Sequence, residues 1–175
     1  MLDNKRIQEA KSNMKNYLSE GLIKKEGFRQ LVFDTYLRNH YESLNLAEHV
    51  YNSKLSNLWT VVISYYSMFY IANVVLYKSG FKVGGRLAHK VTADALIELV
   101  RKKLKDSLLD DYEAAKEEVQ EITQQKADVI IGSFDKERSK RSIFQYETTE
   151  EIKNSKANTS LLRARQFSVE MEKLV

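Results

Sequence analysis

The residues best suited to chemistry lie in ERSKRSIFQYE, where Arg138, Arg141, Phe144, Gln145 and Tyr146 fall close together, followed by Lys153, Lys156, Arg163 and Arg165. A guanidinium group binds phosphate through two parallel hydrogen bonds, and a nearby aromatic ring can stack on a base. That pairing suits a nucleotide or RNA, with Arg141 neutralising a phosphate and Tyr146 stacking or donating a hydrogen bond. The competing reading is a solvated helix end, whose cations favour the negative pole of the helix dipole. Residues 136–165 hold eight Lys or Arg against four Glu, which accounts for the whole formal net charge of +4. A local basic patch is therefore the main electrostatic feature of the chain.

Other chemistries are poorly provided for. The absence of cysteine excludes disulfides, thiolate metal sites and cysteine nucleophiles, and fits a reducing compartment, so a cytoplasmic protein is expected. The N-terminus shows no apolar stretch of the secretory kind. The three histidines are scattered; His40 and His49 are too far apart in sequence to share a metal from adjacent helical turns. No GxSxG elbow is present, and Gly84-Gly85 lacks the spacing of a phosphate-binding loop. No metal or other cofactor is expected. His40 sits within an apolar stripe and reads as a packing residue, whereas His89, at the start of a helix beside Lys90, is a lesser candidate for phosphate contact.

The elements that must position these groups are helices. With no proline and only six glycines, the chain nearly lacks helix breakers. The organising stretch is Leu58 to Tyr77, LWTVVISYYSMFYIANVVLY, which carries no formal charge and is apolar on every side of its helical wheel. Such a helix is central to a bundle or inside a membrane. Its four phenols, with Thr60, Ser64, Ser67 and Asn73, would each need a partner in hydrocarbon, which favours the bundle and no membrane. Ser56, Thr60, Ser64 and Ser67 form a narrow face of small hydroxyls that can bond back to carbonyls one turn earlier.

The remaining helices follow from capping residues and apolar spacing. A mostly polar, peripheral helix runs from an Asp3 cap to about Ser19 and stops at Gly21. A second starts near Phe28, with Phe33, Leu37, His40, Leu44, Ala47 and Tyr51 in one stripe. Asn52 or Ser53 opens the central helix and Gly80 closes it. Residues 81–88 read as a flexible turn, and a fourth helix runs from His89 to about Leu104 with Val91, Ala95, Leu96 and Leu99 inward. Ser107 with Asp110 opens a long fifth helix, and Thr148 with Glu151 opens a last one facing Ala157, Leu161, Ala164 and Met171 inward. No alternating strand pattern is visible. The expectation is an all-α, antiparallel up-and-down bundle of five or six helices, with residues 1–27 a helical extension and 28–175 the bundle proper.

SYYSMFYIANVVLYKSG from Ser64, the following His89-Lys90, and the late Arg141-to-Tyr146 motif together resemble the HEPN family of nucleotide-binding helical domains, over about residues 28–172. The resemblance implies a HEPN-like bundle, usually a homodimer, that binds nucleotides or acts on RNA. It also implies a frequent partner, a small nucleotidyltransferase, in a toxin and antitoxin pair. Ribonuclease members carry an Arg followed four to six residues later by His, and this sequence has no such pair: Arg86 and His89 are too close, and Gln145 and Tyr146 stand after Arg141. Without an imidazole there, no group shuttles a proton near neutral pH. The resemblance thus carries over binding to Arg141, Gln145 and Tyr146 and no catalytic residue, and Arg138, His89 and Lys156 are further candidate contacts for nucleotide or RNA. A divergent metal-independent ribonuclease and a helical docking partner for the nucleotidyltransferase are the alternatives.

Overall fold

The computed structural model describes the backbone of residues 3–138 and 152–175, and the side chains of 3–105, 107–124 and 152–175. Among the described residues six α-helices dominate: α1 (Asn4–Ser19), α2 (Gln30–Asn52), α3 (Asn57–Lys78), α4 (Ala88–Ala95), α5 (Asp106–Arg138) and α6 (Asn154–Glu172). Two short strands, β1 (Ile23–Lys25) and β2 (Phe81–Val83), pair antiparallel with Ile23 opposite Val83. The protein is an all-α bundle, joined among the described residues by one small ribbon whose Ile23 and Val83 enter the core.

Capping chemistry sets the helix ends. Asp3 accepts a hydrogen bond from the Arg6 amide at 2.6 Å, and Ser56 accepts one from the Trp59 amide at 3.2 Å, each satisfying a donor that the first helical turn leaves free. The central helix therefore starts after Ser56, not at Asn52 or Ser53. Those two residues finish α2, and Lys54 turns the chain in the left-handed region at φ 53°. Gly80 closes α3 at φ 88°, a conformation that costs a side-chain-bearing residue about 1 kcal/mol or more.

Thirteen of the 22 residues of α3 are buried, on every side of the helix, as its uncharged sequence requires. It is also the one helix among the described residues long and apolar enough to cross a membrane, and 61% of its most apolar window is covered by the rest of the protein. Helix α2 covers one side, running antiparallel: Tyr77 near the end of α3 meets Gly27 and Arg29, while Ser67 at mid-helix meets His40. Helix α6 is antiparallel to α2, through Glu48 with Arg165 and His40 with Glu172, and antiparallel to α5, through Asp111 with Arg163 and Glu118 with Lys156. It follows that α3 and α6 run parallel, as the packed middle pair of an up-and-down arrangement. Helices α3 and α6 pack on one another, and both carry small buried residues, Thr60, Ser64 and Ser67 on α3 and Ala157, Ser160 and Ala164 on α6.

Further local expectations change, among them the opening of the fifth helix: α5 begins at Asp106, so Ser107 lies inside it and does not cap it. The 81–88 segment is not wholly a turn: Phe81–Val83 is a strand, too short to show alternation in the sequence, and Gly84 donates to the Leu22 carbonyl at 2.8 Å. A Cβ at Gly84 would lie 3.2 Å from that carbonyl oxygen, so the ribbon's approach needs the glycine. The fourth helix is not continuous to Leu104; it passes through a π turn at Leu96–Val100 and a 3-10 turn at Arg101–Lys103. Finally, α1 is not merely a peripheral cover. Ala10, Met14 and Tyr17, with Leu22 and Ile23, enter the same core as α3. The expected inward stripes of α2, α4 and α6 are all buried or half-buried, as are Leu108, Tyr112, Ala115, Val119 and Ile122 of α5. The Thr148 and Glu151 capping pair lies outside the described residues.

Candidate functional site

The sequence placed its main site at Arg138, Arg141, Gln145 and Tyr146. Arg138 is the last residue of α5, and its side chain is outside the described set, as are Arg141, Gln145 and Tyr146 altogether. The cations that follow are engaged by carboxylates. Lys156 Nζ lies 3.2 Å from Glu118, Arg163 Nε 3.2 Å from Asp111, and Arg165 Nε 2.7 Å from Glu48. These pairs tie α6 to α5 and α2, so Lys156 serves the bundle before any anion; Lys153 stays exposed.

The described residues do bring a different set together around His89. Helix α4 opens at Ala88 after Leu87, which takes the left-handed region at φ 54° with no side-chain cap. Position 89 then falls against the face of α3 that carries Tyr65, Tyr66 and Phe69. The His89 ring packs 4.5 Å from the Phe69 ring, centroid to centroid, and 5.7 Å from Tyr66 in an edge arrangement. Its Nδ1 lies 2.9 Å from the Tyr65 hydroxyl. Tyr66, Phe69 and Tyr70 continue the aromatic surface along α3, each within 6.4 Å of the next, because residues three and four apart share a helix face. Tyr66 is 37% exposed, and His89, Phe69 and Tyr70 are half-buried.

The electrostatics favour a neutral imidazole. Burial pushes the His89 pKa down, and the nearby Lys116 ammonium pushes it further. Burial raises the Tyr65 phenol, and likewise that of Tyr112, wholly enclosed behind it. Lys116 is itself held by Glu113 at 2.7 Å, and Glu113 also meets Arg6 at 2.8 Å. Arg6 reaches on to Asp94 at 2.6 Å, where Asn13 and the Tyr17 hydroxyl donate to the other oxygen. A partly buried ionic chain thus joins α1, α4 and α5 and ties down the helix that carries His89.

His40 is a packing residue, with no exposure: Nδ1 faces the Ser67 carbonyl at 2.9 Å, and Nε2 lies 3.7 Å from Glu172, beyond hydrogen-bonding reach. Burial lowers its pKa against the opposing pull of Ser67 and Glu172. His49 is exposed on α2. Among the described residues no three His, Asp or Glu side chains gather closely enough to hold a metal ion.

Sequence reasoning named His89 but missed Tyr65, Tyr66, Phe69 and Lys116 as its neighbours. The signal was present in Ser-Tyr-Tyr-x-x-Phe, whose spacing puts aromatic rings on adjacent turns, but nothing local says which helix covers them. The fold and this site define a helical bundle with a half-exposed aromatic and imidazole surface beside cations. No protein-family model matches the chain, and neither curated proteins nor solved structures match it.

Proposed function

We propose that this chain is a nucleotide- or RNA-binding helical protein of the HEPN kind, acting by binding and without catalysis. The observation that carries the reading is His89, packed at a tilt against Phe69, bonded to Tyr65, beside exposed Tyr66 and followed in the chain by exposed Lys90. A half-open aromatic surface offers a face to a base, and the adjoining cations offer counter-charge to its phosphate. Arg138, Arg141, Gln145 and Tyr146 supply further phosphate and base contacts in this reading, and the cytoplasm is its setting. No residue pair in the described site has the arginine and histidine arrangement needed for metal-independent cleavage.

The test is titration of the full chain with mononucleotides and short single-stranded RNA, following tyrosine and tryptophan fluorescence, with the RNA run on a gel afterwards. Saturable binding of intact RNA, weakened in Tyr66→Ala, supports the reading. No binding at low salt overturns it, and cut RNA replaces it with a ribonuclease.

A second reading, a homodimer or a docking partner for a small nucleotidyltransferase, is favoured by Trp59, an apolar ring of the central helix that is 56% exposed. Sedimentation of the wild-type chain and Trp59→Ala distinguishes self-association from a monomer.

A further inference from the structure

Tyr65 is 2% exposed, and the atom that its hydroxyl reaches is Nδ1 of His89 at 2.9 Å. A buried O–H that donates to nothing forfeits about 1–3 kcal/mol. The other hydroxyl in this pocket, Tyr112, interacts with that of Tyr65, but a phenol oxygen is a poorer acceptor than an imidazole nitrogen, so Tyr112 is the donor of that pair and Tyr65 the acceptor. The proton therefore points from Tyr65 to Nδ1, and Nδ1 must be bare to receive it. In a neutral imidazole the remaining proton then sits on Nε2. Nε2 has no protein partner among the described residues, and His89 is half-exposed, so this N–H is free for a ligand. The Lys116 ammonium acts on His89 while held by Glu113, and exposed Lys90 follows His89 in the chain.

We propose that Tyr65 locks His89 in the Nε2–H tautomer, so that the aromatic surface selects a phosphate oxygen as the partner of that donor. The selection rests on the nucleotide-binding reading above; the lock does not. The arrangement also means that His89 cannot accept a proton at its open edge, so it is a binding group and Tyr65 a positioning residue. The donor contact and the stacked base then sit side by side, which suits a nucleoside monophosphate better than a nucleoside.

The test has two arms on the full-length chain. In the first, long-range proton–nitrogen NMR spectra of the uniformly nitrogen-15-labelled protein at pH 7.5 report the tautomer of each histidine, with His89→Gln assigning the signals. The expected result is a protonated Nε2 and bare Nδ1 in the free protein, shifting toward a mixture in Tyr65→Phe. A protonated Nδ1 in the wild type, or an unchanged tautomer in Tyr65→Phe, overturns the lock. In the second arm, AMP and adenosine are titrated in parallel. AMP is expected to bind at least tenfold more tightly and to shift the Nε2–H signal, with a several-fold loss in Tyr65→Phe. Equal affinity for the two overturns phosphate selection while leaving the stacking surface in place. If AMP, adenosine and single-stranded RNA all fail to bind, the nucleotide reading falls and phosphate selection with it, and the first arm still decides the lock.

Discussion

The Arg6 guanidinium of α1 lies 2.6 Å from the Asp94 carboxylate of α4, a group with no solvent exposure at all. Arg6 is itself largely covered; burial opposes its charge, and Glu113 and Asp94 together more than offset that, so its pKa is raised. The pair ties the N-terminal helix to the helix that carries His89.

Removing Arg6 should therefore be costly. An ionised carboxylate left buried without its partner destabilises by about 3–5 kcal/mol. Arg6→Met is expected to lower the urea midpoint by that equivalent, while Arg6→Met with Asp94→Asn recovers part of the loss because no buried charge is stranded. A double variant no more stable than the single one would show that the pair is not coupled.

Acid should weaken the fold before the carboxylates titrate. Burial pushes both His40 and His89 below their ordinary value of 6.5. As pH drops through 6.5 the unfolded chain takes up protons that the folded chain refuses, so stability falls from there down toward the depressed folded values. Above 6.5 these two groups contribute no slope. Urea midpoints at pH 7.5, 6.5 and 5.5 should show this decline. His40→Asn, which keeps a donor near the place of Nδ1 and cannot titrate, should flatten it in part; an identical slope in the variant would remove His40 from the account.

Stacking on Tyr66 can be separated from folding because that ring is 37% exposed. Tyr66→Ala is expected to weaken RNA binding by about 1–3 kcal/mol, the usual value of one base on one aromatic ring, and Tyr66→Phe by much less. Thermal unfolding of both variants should stay within a few degrees of wild type. Equal binding by all three proteins would take Tyr66 out of the site.

Salt should act strongly on RNA affinity. Each phosphate neutralised on a single strand contributes about 0.7 to the slope of log affinity against log salt. Arg141→Ala is expected to lessen the slope by about that amount, and Lys156→Ala to leave it unchanged, since Lys156 already faces Glu118. The reverse pattern would exchange their roles.

Much of the architecture was legible in the residues. The uncharged run from Leu58 to Tyr77 reads as a helix whose phenols and hydroxyls favour cover by neighbouring helices, Asp3 and Gly80 mark ends that the backbone respects, and the stripe through Phe33, Leu37 and His40 faces inward as its spacing says. The ribbon was not legible, because three residues such as Ile23–Lys25 are too few for a period to show. Nor was the break at Leu96–Val100, where an apolar run reads as helix whether its turns are α or π. The start of α3 was misplaced by a few residues because Asn52, Ser53 and Ser56 are all good caps, and only the Ser56 hydroxyl meets a free amide.

Composition and periodicity by themselves determined that this protein is a helical bundle around one uncharged helix, since burying apolar surface on every side admits few other arrangements. Tertiary structure alone decided that Lys156, Arg163 and Arg165 spend their charge on Asp111, Glu118 and Glu48, and that Tyr65 of α3 meets His89 of α4. The physical reason is range. Helical spacing reports which residues share a face, but ion pairs and ring contacts form between faces, and which faces meet depends on how whole helices pack.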